Sequence, residues 1–193
     1  MMLDKVATPI CLSGGAPGAD LEWSLCARAA GHMVIHWSFA GHRTKAPLGE
    51  RVILPPDLLA RADPFLVAAN RTLKRQFPCQ TAYATNLLRR DYFQVVWSRA
   101  VYVVGDSMDG MIAGGTAWTV QLFLDRFPDA ESVEAYFFDQ RQRQWFSWHR
   151  GWIAIKLPPH PQGTWAGVGS RDLRSSGKAE IHRLMGYERA VEG

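Results

Sequence analysis

The chain has 193 residues, 47% of them hydrophobic and 21% charged, with 22 Lys and Arg against 18 Asp and Glu for a net charge of +4. That length and balance suit one domain with a buried core and exclude a disordered chain. The mild basic excess favours anionic ligands and falls far short of the dense basic face of a dedicated nucleic-acid binder.

Three widely spaced cysteines, Cys11, Cys26 and Cys79, suggest neither a disulfide framework nor a Cys-x-x-Cys metal site, and read as buried thiols of a reducing cytoplasm. No apolar run approaches the roughly 20 residues of a membrane span, and the N-terminus has no basic-then-apolar leader. The expectation is a cytoplasmic protein without a membrane partner.

Residues 7–12 are apolar and read as a strand, followed by Ser13-Gly14-Gly15-Ala16-Pro17-Gly18-Ala19-Asp20 and a helix over 21–30 that ends at Gly31. A strand that turns through glycines into a helix aims free backbone N–H groups, and the positive end of the helix dipole, at one point. That point suits a phosphate; the alternative is a tight turn that binds nothing. The spacing is neither G-x-G-x-x-G nor a Walker loop. Asp20 reads either as a ligand contact or as a complement to the helix dipole.

Residues 32–39 form a second buried strand, and a polar segment rich in glycine and basic residues follows at 40–50. Loops at the carboxyl ends of strands form the ligand crevice of open α/β sheets, which puts His42 and Arg43 where a base or phosphate is read, unless the segment is a solvated loop. Pro55-Pro56-Asp57 starts a helical region, and Asp63-Pro64 starts a helix to about Gln76, stopped by Pro78. Residues 81–97 are a long amphipathic helix carrying Asn86, Arg89 and Arg90. These three reach the pocket, reach an equivalent pocket across a dimer, or form an exposed basic stripe.

Residues 100–105 are a buried strand ended by Gly105. Gly114-Gly115-Thr116-Ala117-Trp118 then repeats the opening device and leads into a helix to about Phe127. A strand at 133–138 is closed by Asp139, and 144–148 with 151–157 read as short strands or a hairpin whose Trp145, Trp148 and Trp152 belong to the core or a subunit interface. Beyond a proline connector, 164–168 is a strand, Gly169-Ser170-Arg171 a third glycine turn, and Ser175 or Ser176 caps a helix through Met185.

This alternation predicts an α/β, Rossmann-like, three-layer α/β/α fold with a mostly parallel sheet. One domain spans 1–193, and the strand and helix of 164–186 complete the same sheet. The three glycine turns then share one edge, gathering Ser13, Gly14, Gly15, Ala16, Gly18, Ala19, Asp20, Gly105, Gly114, Gly115, Thr116, Trp118, Gly169, Ser170 and Arg171 around a nucleotide or nucleotide-sugar phosphate. Amides and Thr116 would hold the phosphate, Arg171 would neutralise it or pair structurally, and Trp118 would stack on a ring or serve as core. The six histidines lack the paired spacing of a zinc site, so no metal is expected. A homodimer would cover exposed Trp and Tyr.

The motifs at 13–20, 114–118 and 166–171 resemble the SLOG superfamily, which unites lonely-guy type phosphoribohydrolases, the bacterial DNA-processing protein A family and many nucleotide-sensing domains. The chain is also similar to phage proteins of unassigned function. The resemblance implies a nucleotide-binding domain, with two departures. In the DNA-processing family the Gly-Ser-Arg turn and its helix precede the Ser-Gly-Gly turn, whereas here they come last, a circularly permuted order. The lonely-guy motif Pro-Gly-Gly-x-Gly-Thr-x-x-Glu carries a glutamate that supports cleavage of an N-glycosidic bond, whereas residues 113–121 here hold no carboxylate and end in Gln121.

Three functions follow as expectations. The first is nucleotide binding or sensing without efficient turnover. The second is N-glycosidic hydrolysis using another acid among Asp20, Glu22, Asp106 and Asp109. The third is single-stranded DNA binding through the basic clusters at 71–75 and 89–90.

Overall fold

A computed structural model describes residues 7–108 and 110–187. In chain order the elements are β1 (Ile10–Ser13), α1 (Ala19–Ala29), β2 (Met33–Phe39), β3 (Arg51–Leu54), α2 (Pro56–Ala60), α3 (Asp63–Leu73), α4 (Ala82–Val95) and β4 (Ala100–Gly105). The two-residue strands β5 (Ser107–Met108) and β6 (Met111–Ile112) follow, then α5 (Thr116–Leu124), β7 (Val133–Asp139), β8 (Gln144–Trp148), β9 (Trp152–Ile155), β10 (Thr164–Gly169) and α6 (Ser175–Met185). Eight strands make one sheet in the order β3-β2-β1-β10-β4-β7-β8-β9. The first six are parallel, and the β8–β9 hairpin completes one edge antiparallel. The chain is therefore α/β with the mostly parallel, helix-covered sheet that its alternating pattern predicts.

Strands buried on both faces read as apolar runs whose side chains alternate between two cores. In β4, Val101 and Val103 join the cluster beneath α3, α4 and α5, while Ala100, Tyr102 and Val104 join the one beneath α1 and α6. The layering follows from handedness. The step from β1 to β2 and the step from β4 to β7 run in opposite directions across the sheet, so right-handed crossovers send α1 to one face and α5 to the other.

The last strand, β10, sits between β1 and β4, where the winding reverses. Its Gly167 is a packing requirement: a Cβ there would stand 2.7 Å from the Trp23 Cβ. Trp23 is fully buried, edge-on to Trp165 at 5.7 Å, and its indole N–H donates to the Val168 carbonyl at 3.3 Å. This contact draws the start of α1 down onto β10.

Three local expectations need correction. β3 lies outside the predicted strands, because its four residues sit between a polar segment and Pro55, and Arg51 turns back to donate to the Ala46 carbonyl at 2.6 Å. The β5–β6 pair was likewise unseen. Arg174, not Ser175 or Ser176, stands at the start of α6: its amide donates to the Gln140 side chain at 2.7 Å, and the Ser176 hydroxyl donates to the Gln140 carbonyl at 3.3 Å. Trp145 is core, with its indole N–H on Glu180 at 2.7 Å, while Trp148 and Trp152 meet edge-to-face at 5.2 Å. Among the described residues no helix is long and apolar enough to cross a membrane.

Gly167→Ala is expected to cost about 1–3 kcal/mol by overpacking against Trp23. Gly151→Ala, whose added methyl meets nothing within 4 Å, should change stability by less than about 0.5 kcal/mol. Urea midpoints of the two variants against the parent check the pair; equal midpoints would mean that α1 does not need the glycine.

Candidate functional site

The carboxyl ends of β1, β10 and β4 open onto a cavity of about 590 Å³, the position that open α/β sheets use for ligands. Of the residues expected there, Ala16, Asp20, Arg90, Gly105, Gly114, Gly115, Thr116, Trp118, Gly169, Ser170 and Arg171 line it. Ser13, Gly14, Gly15, Gly18 and Ala19 are not part of the lining, nor are His42, Arg43, Asn86 and Arg89.

The first turn does not present a row of free amides, which corrects the expectation drawn from its glycines. Gly15 N–H donates to the Ser13 hydroxyl at 3.3 Å, Ala16 N–H to the Asp20 carboxylate at 3.4 Å, and Ala19 N–H to the Ser170 carbonyl at 3.0 Å. The other oxygen of Asp20 accepts from Gly169 N–H, in the third turn, at 3.1 Å. The third turn is closed as well, with Ser170 N–H on the Val104 carbonyl at 2.8 Å and Asp172 N–H on the Ser170 hydroxyl at 3.1 Å. Asp20, in the first turn of α1, thus takes the place of the anion to which these two turns would otherwise offer their amides. From the loop between β2 and β3, the Thr44 hydroxyl covers the outside, donating to the Gly15 carbonyl at 2.6 Å.

A buried carboxylate needs a cation. Arg90 on α4 brings one: a terminal nitrogen lies 3.7 Å from Asp20 and 3.1 Å from Asp91, and donates to the Gln94 side-chain oxygen at 2.6 Å. Gly14 makes the approach possible, because a Cβ there would fall on the guanidinium. Burial pushes the Asp20 carboxyl up, against Arg90 and the amides of Ala16, Gly169 and Gly14. Burial also pushes Asp91 up to about 7, opposed by Arg90, reinforced by Asp20, and eased by the Thr119 hydroxyl and Arg171. Two polar donors in this cluster, Arg90 Nε and Gln94 Nε2, are buried without a partner among the described residues.

The second glycine turn is the open one. Gly114 has φ +64°, Gly115 precedes α5 without a side-chain cap, and a Cβ on either would meet nothing within 4 Å. Arg75 clamps this turn, donating to the Gly114 carbonyl at 2.5 Å. Across the cavity Arg171 is exposed, with no ion-pair partner among the described residues. Trp118 is buried against Phe77, at 6.0 Å between rings, and forms part of the wall. His42 stacks on Phe39 at 4.9 Å; burial, then Arg90, Arg171 and Arg51, lowers it to about 4, so it stays neutral beside a positive mouth.

Other candidates are engaged elsewhere. Arg89 grips Asp63 with two bonds of 2.7 Å and also bonds Asn86 at 3.1 Å, while the Arg43 guanidinium lies over Tyr83 at 5.8 Å. Gln121 donates to Asp125 at 2.6 Å, outside the cavity lining. Asp106 lines the rim and pairs with Arg174 at 2.9 Å and Arg141 at 3.3 Å. Asp109 lies outside the described residues.

Glu22, Cys26 and His182 converge, but His182 bonds Glu22 at 2.6 Å and Lys178 holds the same carboxylate at 3.3 Å. Burial and Glu22 push the Cys26 thiol up to about 12. That group is an ion-pair network between α1 and α6.

Sequence reasoning missed Asp91, Gln94 and Thr119, and placed Arg75 in a basic cluster for nucleic acid rather than at the cavity. A signal existed for two of them. Ala84, Leu87, Leu88, Asp91 and Gln94 recur at three- and four-residue spacing and line the cavity together, so Asp91 and Gln94 are polar residues on the buried stripe of an amphipathic helix. Compared with known proteins, the chain matches no family model, no curated protein and no solved structure.

Arg90→Met removes the cation shared by two buried carboxyls and is expected to cost about 3–5 kcal/mol at neutral pH. The loss should shrink toward pH 5, because protonated Asp20 and Asp91 no longer need compensation. Denaturant unfolding at both pH values checks this; a loss independent of pH would reduce Arg90 to a packing residue.

Proposed function

We propose that the chain binds a nucleotide, or a phosphate-bearing ligand derived from one, as a binding or sensing module. The observation that carries the reading is the uncapped start of α5 at Gly114-Gly115, facing a cavity that also holds an unpaired Arg171. A helix N-terminus with free amides is an anion site. The partnerless donors of Arg90 and Gln94 among the lining residues add an unmet demand for acceptors, which a ligand or an ordered water would satisfy. Apolar wall residues such as Leu87, Trp118 and Val168 suit the rest of a nucleotide.

The reading includes kinship with the SLOG superfamily in permuted order. It is supported by the pairing of β10, which leads into Gly-Ser-Arg, directly with β1, which leads into Ser-Gly-Gly. The single-stranded DNA alternative loses support because Arg75, Arg89 and Arg90 of its basic clusters are bound within the protein.

The test is thermal unfolding with each nucleoside monophosphate, together with mass spectrometry of small molecules released on denaturation. A ligand at about 100 times its Kd should add about 2.7 kcal/mol to stability. Gly115→Asp places a carboxylate in the open space before α5 and should keep the fold while abolishing the ligand-induced shift. No shift with any nucleotide and no released nucleotide would sink the proposal; an undiminished shift in Gly115→Asp would move the phosphate elsewhere.

A second reading, nucleotide hydrolysis at the N-glycosidic bond, is favoured by one observation. Asp91, raised to about 7 and lining the cavity beside Thr119, is a carboxyl group suited to general acid–base work. On this reading, purified protein releases free base from a nucleoside monophosphate, and Asp91→Asn lowers kcat by at least about 100-fold. Intact nucleotides after prolonged incubation leave binding without turnover.

A further inference from the structure

Asp91 and Asp20 share one buried cation. Of the groups facing Asp91, α4 supplies Arg90, α1 supplies Asp20, α5 supplies the Thr119 hydroxyl, and the turn after β10 supplies Arg171. We propose that Asp91 sets the charge the cavity accepts, so that a phosphate-bearing ligand binds together with a proton taken up by the Asp91 carboxyl. The inference rests on the anion-binding reading above and adds a rule of charge to it.

Two carboxylates against one guanidinium leave a net negative charge among buried groups, where opposite and like charges act strongly. Asp20 has a backbone amide on each oxygen, at 3.4 and 3.1 Å, and these stabilise its charged form. Among the described residues none gives Asp91 a backbone amide, and 11% of its side-chain surface remains accessible. The proton therefore resides on Asp91, and protons can reach it from the cavity.

A dianionic phosphate at the start of α5 adds negative charge to the same cavity and also draws on Arg171, one of the cations that favours ionised Asp91. Both effects raise the affinity of Asp91 for a proton. Near neutral pH the free protein holds Asp91 partly ionised, and the ligand completes its protonation. By linkage, the ligand binds more tightly as pH falls through neutrality, and Asp91→Asn, which mimics the neutral carboxyl, abolishes that dependence.

The experiment has two arms. In the free protein, a carboxyl raised above its unfolded value makes stability fall as pH rises, so the parent chain should lose stability relative to Asp91→Asn from about pH 5 to about pH 8. The Asp91 carboxyl resonance of the parent chain, followed by NMR over the same range, gives the answer without a variant. A midpoint near the ordinary carboxylate value, or parallel stability profiles, overturns the inference.

In the second arm, calorimetry with inorganic phosphate, and with sulfate as an anion that does not titrate near neutrality, is run in buffers of different ionisation enthalpy. The parent chain should take up a fraction of a proton, up to about one, per anion bound, and Asp91→Asn markedly less. Binding with equal or no uptake in both proteins overturns the charge rule and leaves the anion site standing. No binding of either anion by either protein overturns the anion site and the charge rule together.

Discussion

The carboxylate of Asp20 is the constraint around which the ligand edge of this protein is arranged. It stands at the start of α1, where a glycine-rich turn would otherwise hold an external anion, and accepts amides from Ala16 in its own turn and from Gly169, 149 residues further along the chain than Asp20. Its charged form, buried, requires a partner cation, and a cation from α4 can reach it only across a residue without a Cβ. Arg90 and Gly14 are the two halves of that solution. The tie holds the end of β1, the end of β10 and the middle of α4 in one rigid unit.

Filling the first cradle internally leaves the start of α5 as the exposed helix terminus of the cavity. The two strand-to-helix turns that look alike in sequence therefore do different work: the turn before α1 is closed by the Asp20 carboxylate and by the Ser170 carbonyl on Ala19 N–H, and the turn before α5 is open. The charge distribution along the cavity follows. Two carboxyls and one guanidinium meet between α1 and α4, Arg171 belongs to the turn after β10 that packs beside the start of α1, and the α5 amides open onto the same cavity.

The layered fold was legible because burial on both faces writes uninterrupted apolar strands, such as Ala100–Gly105, between helices with clear stops. The parts that escaped were short or depended on tertiary contacts. Arg51–Leu54 carries too few residues to show a period, and the start of α6 is organised by Gln140, which no local reading connects to Arg174. At the site, glycine spacing correctly marks where strands turn into helices, yet it cannot tell an empty cradle from one filled by a side chain. That distinction rests on Asp20 reaching Gly169 across the sheet. Asp91 and Gln94 are legible in principle, as polar residues on the apolar stripe of α4, but hydrophobic periodicity by itself gives weight only to the apolar members of such a stripe.

The position of β10 shows how the cavity is assembled from parts far apart in the chain. A doubly wound sheet that starts at β1, runs outward to β3 and returns at β4 leaves a gap beside its first strand, and here the last strand fills that gap. What the Asp20 tie requires is that the turn after β10 lie next to the turn after β1; it places no condition on which is made first. Gly167 and Gly169 enforce that adjacency by letting Trp23 and Ala19 of α1 seat directly on β10. The chemistry of the cavity is thus set by strand neighbours and by one buried carboxylate, and chain order is free to change around them.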